Sequence, residues 1–341
     1  MVILSAVCPL FLMPRAIPRL LQASLAFSIV GLVTILALVL FFGPQSQPWS
    51  TVLDTHGTSG WSVGIAWMLG VSNSMYPFTS TDAAIHIAEE MVYPERRLPQ
   101  VLNMTLTLGI GTALPLLLVM MLRVTNLMAV AQADVPYVEA FRQITHNNAA
   151  TTFMMVWITL VLFLAIIGQW VTVGRLAWAF ARDGGLPFSP FFAHISERFG
   201  FPVRTTLASL GFSCIYGLLY LVSTTAFNSI VTSAVLFSNV TYCAPQLLAA
   251  IRGRENVLPS HPCDLGVFGR ICNYLSPILV LTIGILICFP PELPVTTDNI
   301  NYTPVIIIAF CLAILVTWYV IGKHFRGPKI DWDILKDTKF S

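Results

Sequence analysis

Long apolar runs separated by short polar segments dominate this chain. Eight runs approach or exceed the ~20 residues that a helix needs to cross a bilayer. They cover residues 20–43, 61–88, 99–122, 152–181, 204–223, 226–251, 274–291 and 303–322. Hydrocarbon offers no partner to backbone N–H and C=O groups, so each run must be helical. The predicted fold class is all-α and integral to the membrane, with about eight transmembrane helices. The apolar stretch from Val2 to Met13 is too short to span. It has no basic start and no small-residue cleavage site, so it reads as the end of a helix and not as a signal peptide.

Charged side chains fall almost entirely between the runs. With sides alternated from the segment Pro14–Arg19, one side collects 16 of the 18 Lys and Arg residues, and the other only Arg123 and Arg142. The positive-inside rule makes the rich side cytoplasmic. This predicts a multi-pass protein with a cytoplasmic C-terminal tail (323–341) and an extracellular segment 124–149. A missed span would scramble the alternation, so the charges support the helix count. Within 124–149, Val135, Val138, Phe141 and Ile144 recur at helical spacing. They predict a short helix lying on the surface, with a loop carrying incidental apolar residues as the alternative.

Composition removes the soluble classes. Hydrophobic residues make up 56% of the chain and charged residues 10%, against about 25% charged in ordinary globular domains. The net charge of +2 leaves no basic field for a polyanion, so no nucleic-acid partner is expected. Seven cysteines without a CxxC pair indicate neither a zinc site nor a disulfide framework, and no cofactor or metal is expected. The absence of a GxxxxGK[ST] string argues against a nucleotide-driven pump.

The second run is not an ordinary helix. Its residues 71–82 read VSNSMYPFTSTD, rich in Ser, Thr, Asn and Asp around Pro77. Proline removes a backbone donor and disfavours helix at the preceding residue. Such a break persists in a membrane only where the freed backbone lines a cavity or is buried in protein. In inverted-repeat transporters these breaks hold the substrate, which makes Ser74, Tyr76, Phe78 and Thr79 candidate substrate contacts. Tyr76 and Phe78 flank the break, and their faces suit an ammonium group; a plain proline kink is the alternative. Asp82 is the only carboxylate well inside any run. An intramembrane acid marks a functional site by default, here a gate or proton carrier, with a structural pairing to a loop arginine as the alternative. Gln169 and Trp170 interrupt an aliphatic run and are either substrate contacts or helix-packing groups. Asn239, Thr241 and Tyr242 read first as packing groups, and His86 as a polar end residue.

Four strings carry a resemblance. AAIHIAEEMVYPERRLP (83–99) and VGRLAWAFARDGGLPFSP (173–190) resemble the stretches after the sixth and eighth helices of amino acid–polyamine–organocation permeases. TAFNSIVTSAV (225–235) and DNINYTPV (298–305) resemble the fungal amino acid/choline branch, which includes GABA and choline permeases. Members have twelve helices, ten of them in two inverted five-helix repeats. The resemblance places residues 1–43 at the end of helix four and helix five, the remnant of a first repeat. It places 61–251 as the whole second repeat and 274–322 as the last two helices. Most of the first repeat, with its own broken helix, is thus expected to be absent. Tyr76 falls where relatives carry a gating aromatic, and Asp82 where many carry an acid near the inner gate. Glu89, Glu90, Arg96, Arg175, Arg182 and Asp183 fall in the loop motifs after helices six and eight. Some proton-coupled relatives carry a lysine in helix five; residues 20–43 hold none.

The resemblance implies a secondary transporter of amino acids or small organic amines such as choline or GABA. The expected coupling ion is the proton, and the expected location the plasma membrane. The alternative is a shortened permease-like chain that does not transport, a sensor or an inactive fragment. A membrane enzyme is disfavoured, because Asp82 and His86 have no third catalytic or ligand residue at suitable spacing.

Overall fold

The structure, a computed structural model, describes residues 2–43, 47–53, 59–254, 265–296, 299–323, 325 and 327. The predicted tail lies outside these residues apart from Lys323, Phe325 and Gly327. Among the described residues every regular element is helical. The α-helices are α1 (Val2–Leu12), α2 (Ile17–Phe42), α3 (Val63–Asn73), α4 (Pro94–Arg123), α5 (Leu127–Gln132), α6 (Pro136–Thr145), α7 (Asn148–Arg182), α8 (Ser189–Phe192), α9 (Val203–Val222), α10 (Thr224–Arg252), α11 (Gly266–Leu286) and α12 (Thr303–Ile321).

Seven of them, α2, α4, α7, α9, α10, α11 and α12, are long and apolar enough to cross a membrane. They match seven of the eight predicted spans. The eighth, residues 61–88, is interrupted, so only its first part forms an α-helix. Local signals set several ends. Ser223 accepts the N–H of Ala226 at 3.1 Å and starts α10. Asn126 accepts the N–H of Ala129 at 3.0 Å and starts α5. These side chains replace the intrahelical partners that a first turn lacks.

The chain forms two compact units. The first comprises Met1–Thr55, Thr105–Val173 and Glu197–Phe199. Its core joins Ile35 and Val39 of α2, Ala140, Phe141 and Ile144 of α6, and Met154 of α7. The segment predicted as a surface helix is therefore helical but docked. Phe141 and Ile144 are buried, whereas Val135 and Val138 stay exposed. Pro136 fits the first turn of α6, where an N–H would have no partner anyway. Along α2 and α7, the Phe27 and Trp157 rings stack with centroids 4.6 Å apart. The Trp157 indole N–H donates to the Phe27 carbonyl at 3.3 Å. A Cβ on Gly31 would strike the same indole, so glycine is what lets the ring lie against α2.

The second unit comprises His56–Met104, Gly174–Ser196 and Gly200–Ser341. Helix α10 is its post, packed against α9, α11 and α12. Tyr216 of α9 stacks on Phe227 of α10 and donates its hydroxyl to the Phe227 carbonyl at 2.7 Å. Phe237 meets Phe310 of α12 edge to face. The end of α7 approaches α9 closely. Thr205 donates to the Gly174 carbonyl at 2.9 Å, and a Cβ on Gly174 would collide with Thr206. Small residues at such crossings let helices associate where lipid supplies no hydrophobic drive. Helix α12 is apolar on every face, and Thr303 is its one buried residue, as lipid contact allows.

Gly31→Leu is expected to displace Trp157 and destabilise the first unit by about 1–3 kcal/mol, the usual range for overpacking. Thermal unfolding of the protein in detergent should show a lower midpoint. Gly111→Leu, where an added Cβ meets nothing within 4 Å, should leave the midpoint unchanged or raise it.

Candidate functional site

The break in the second span follows from its residues. Helix α3 stops at Asn73, and Tyr76–Phe78 forms one 3₁₀ turn around Pro77. Thr79 is then extended, with ψ 147°, and Ser80 is left-handed, with φ 67°. Thr81–Glu90 continues as a second 3₁₀ helix. A left-handed non-glycine residue costs about 1–2 kcal/mol, so the surroundings must hold it. Most hydroxyls of the break turn inward on their own segment. Ser72 donates to the Leu69 carbonyl at 2.6 Å, Ser74 to Val71 at 2.6 Å and Thr79 to Met75 at 3.0 Å. Tyr76 instead reaches another helix, and its hydroxyl hydrogen-bonds Thr232 of α10.

That bond lies on the wall of a cavity of about 510 Å³. Ser72, Asn73 and Tyr76 line it from the break, and Thr225, Asn228, Ser229 and Thr232 from α10. Leu286 and Ile287 close it from the end of α11, and Asn299, Ile300, Asn301 and Thr303 from the segment that leads into α12. The four α10 residues stand at i, i+3, i+4 and i+7, so they share one helix face. Ser229, Ser233 and Ser238 donate to carbonyls four residues back, the usual way to hide a hydroxyl in a helix. Thr225 and Asn228 make no side-chain hydrogen bond among the described residues, so their polar atoms are available to a solute. The lining holds no residue that carries a formal charge. The rim is braced. Asn301 donates to the carbonyls of Ile287 and Phe289, both at 2.8 Å. Trp61 stacks on Phe289 and donates to the Pro290 carbonyl at 3.1 Å.

Asp82 sits in the second 3₁₀ piece. Its Oδ2 lies 2.9 Å from His86 Nε2, and both side chains are about three-quarters buried. The Tyr242 side chain of α10 lies near this carboxylate. Among the described residues Asp82 thus pairs with His86 of its own 3₁₀ segment. Asn239 and Thr241 do satisfy themselves on their own helix, at the carbonyls of Val235 and Ser238. His86 borders a second cavity, of about 390 Å³, with Arg175, Trp178, Ile195 and Pro202.

The remaining candidates divide. Ser74, Phe78 and Thr79 lie on the break but do not line the larger cavity. Gln169 and Trp170 belong to the first unit. Gln169 is exposed, while Trp170 is buried and its indole N–H has no partner among the described residues. Among those residues no three His, Cys, Asp or Glu side chains converge as metal ligands. Sequence reasoning passed over Thr225, Asn228 and Thr232 as site residues, although their spacing is a polar stripe in an apolar span. The stripe lies in the string quoted only for its resemblance.

Comparison with known proteins agrees with this architecture. Residues 2–311 match the profile of a family described as amino acid permease. The choline transporter of Saccharomyces cerevisiae is 29% identical over 314 residues, which cover 91% of this chain and 55% of that protein. The transmembrane transporter swnT of Metarhizium robertsii is 27% identical, covering 93% and 63%. The amino-acid permease BAT1 of Arabidopsis thaliana is 24% identical, covering 90% and 62%. The chain thus spans between half and two thirds of the length of these relatives.

The cavity makes a chemical prediction. In a background without native cysteines, Asn228→Cys and Thr232→Cys should react with a membrane-impermeant thiol reagent. Ser233→Cys, at a position that is 0% exposed, should react at least about tenfold more slowly, because thiol reactivity follows access. Equal rates at all three positions would remove the cavity.

Proposed function

The chain belongs to the amino acid permease family, and on that premise we propose that it acts as a secondary active transporter of an amino acid or a small organic amine such as choline or GABA. The observation that carries the reading is the broken helix, with Tyr76 and an uncharged polar cavity beside it. Irregular backbone at membrane depth is tolerated only where it is buried in protein or lines a cavity, and transporters place their substrate there. The cavity chemistry narrows the cargo. A lone carboxylate or ammonium would enter without a counter-charge, at a cost of several kcal/mol. A zwitterion carries its own counter-charge, and a quaternary amine is weakly hydrated and suits an aromatic face. Both types fit hydroxyls, amides and Tyr76. The printed names of the relatives, a choline transporter and amino-acid permeases, fall in the same two classes.

In this reading Ser74, Tyr76, Phe78 and Thr79 contact substrate along the break. Gln169 and Trp170 are further contacts by their chemistry, an exposed amide and an indole N–H without an acceptor. Asp82 serves the gate and the coupling proton. The protein is a multi-pass resident of the plasma membrane with a cytoplasmic C-terminus, as the bias of Lys and Arg across the spans implies. Residues 61–251 act as one five-helix repeat.

The test is uptake by the intact protein, expressed from its own gene in cells that lack uptake of choline and amino acids. Saturable uptake is expected, and Tyr76→Ala should raise the apparent substrate constant by about tenfold, the equivalent of ~1.4 kcal/mol of lost contact. Competition between choline and zwitterionic amino acids then decides between the two classes. Substrate binding without uptake would replace the transporter by the non-transporting reading.

A further inference from the structure

The geometry points to a binding site for one anionic phospholipid of the cytoplasmic leaflet, in an apolar groove between the end of α7 and α12. This rests on the orientation proposed above, with the C-terminal end cytoplasmic, and not on the identity of the cargo. The groove encloses about 400 Å³. Phe310, Ile314 and Trp318 of α12, and Gly322 just beyond it, line one wall. They stand four residues apart, so the wall follows the helix axis. Thr317 also lines it but hides its hydroxyl at the Ala313 carbonyl, 2.7 Å away. From Phe310 to Gly322 the wall runs about 18 Å along the helix, against a hydrocarbon core about 30 Å thick. The groove therefore has the depth of one leaflet, and it reaches the end of α12 that carries the basic residues. Spread over that length, its volume leaves a cross-section of roughly 20 Å², about one hydrocarbon chain wide and far below that of a helix, 10–12 Å across with its side chains.

The inner end of the groove is shaped by aromatic rings and two glycines. Phe180 of α7 and Gly185 face α12 across it. A Cβ on Gly185 would collide with the Phe180 ring, and one on Gly322 with the Trp318 carbonyl and ring. Glycine at both positions lets these rings lie against backbone and leaves the groove open. Beyond α12 the chain turns back, with the Phe325 N–H donating to the Gly322 carbonyl at 3.3 Å. The Phe325 ring then sits 6.3 Å from that of Phe180 and 6.1 Å from that of Trp318. The Trp318 indole N–H makes no hydrogen bond among the described residues, and tryptophan at a bilayer surface can donate to a lipid ester carbonyl. Charge then selects the lipid. Lys323 is exposed directly beyond the groove, and residues 323–329 hold Lys323, Arg326 and Lys329 with no acid. Asp183, two residues before Gly185, is already taken up by Arg182 at 3.4 Å. Lipid tails are as apolar as the groove itself, so the groove fixes where one acyl chain lies and supplies little preference among lipids. The preference comes from the headgroup. Anionic lipids enrich the cytoplasmic leaflet and are drawn to basic residues just inside a span.

The intact protein, expressed from its own gene and purified in a neutral detergent, is irradiated with a phosphatidylserine that carries a diazirine on one acyl chain. Adducts mapped by mass spectrometry should concentrate on Phe180 and on α12 between Phe310 and Gly322. Unlabelled phosphatidylserine should remove them at concentrations at least about fivefold lower than phosphatidylcholine does, the advantage that one basic residue gives at an anionic surface. Ala313→Trp, which fills the groove, should cut labelling at least about tenfold while the thermal midpoint without added lipid stays unchanged. Lys323→Gln should reduce the advantage of phosphatidylserine about fivefold. Adducts spread evenly over the outer faces of α9, α11 and α12, equal competition by the two phospholipids, or displacement of the probe by a sterol but not by phosphatidylserine would each overturn the site. If Ala313→Trp does not fold, an unchanged lipid preference in Lys323→Gln overturns it equally. Reaction of Lys323→Cys with an impermeant thiol reagent applied outside intact cells would put the groove in the outer leaflet, and so overturn the orientation and this proposal together.

Discussion

A backbone amide in hydrocarbon has no water to turn to, and this condition governs the whole chain. It makes the long apolar runs helical, because a helix satisfies its backbone within one segment. It also explains the behaviour of hydroxyls along the spans. Thr34, Thr159, Thr282 and Thr317 each donate to a carbonyl four residues back. A hydroxyl that back-bonds is neutral towards its surroundings, and one that does not is open to a partner. Against that background the break at residues 74–80 stands out. Its short 3₁₀ pieces recover part of the backbone hydrogen bonding, and Tyr76 faces both the cavity and α10.

Helix α10 makes the break tenable. It is packed on α9, α11 and α12, and rings at Phe227 and Phe237 fix its rotation. From this post Thr232 reaches the break through the Tyr76 hydroxyl. An interrupted segment that hung on lipid alone would find no acceptor for its free groups. Tied to α10 through Tyr76 and Thr232, it has such a partner.

The cavity and Asp82 divide the chemistry of the second unit. The cavity is polar but uncharged, which suits a solute that brings its own counter-charge or a diffuse one. Asp82 and His86 lie beyond the break, and His86 borders a different cavity.

The hydrophobic pattern by itself determined the all-α membrane class, the positions of the long helices and the interruption near Pro77. These follow from local quantities: run length against bilayer thickness, and a proline among polar residues. The family was legible for a similar reason, since its marks are contiguous strings. What only tertiary structure decided is which polar groups meet. Tyr76 and Thr232 are 156 positions apart, and Asp82 and Tyr242 are similarly distant. Nothing local says that α10 turns its Thr225–Thr232 stripe towards the break. The same holds for the short helix α6. Its spacing announced a helix, but only packing buried Phe141 and Ile144 while leaving Val135 and Val138 exposed. In a membrane helix nearly every face is apolar, so hydrophobicity alone cannot fix its rotation. That rotation is set by ring stacking, by small residues at crossings and by the few polar side chains that must find one another.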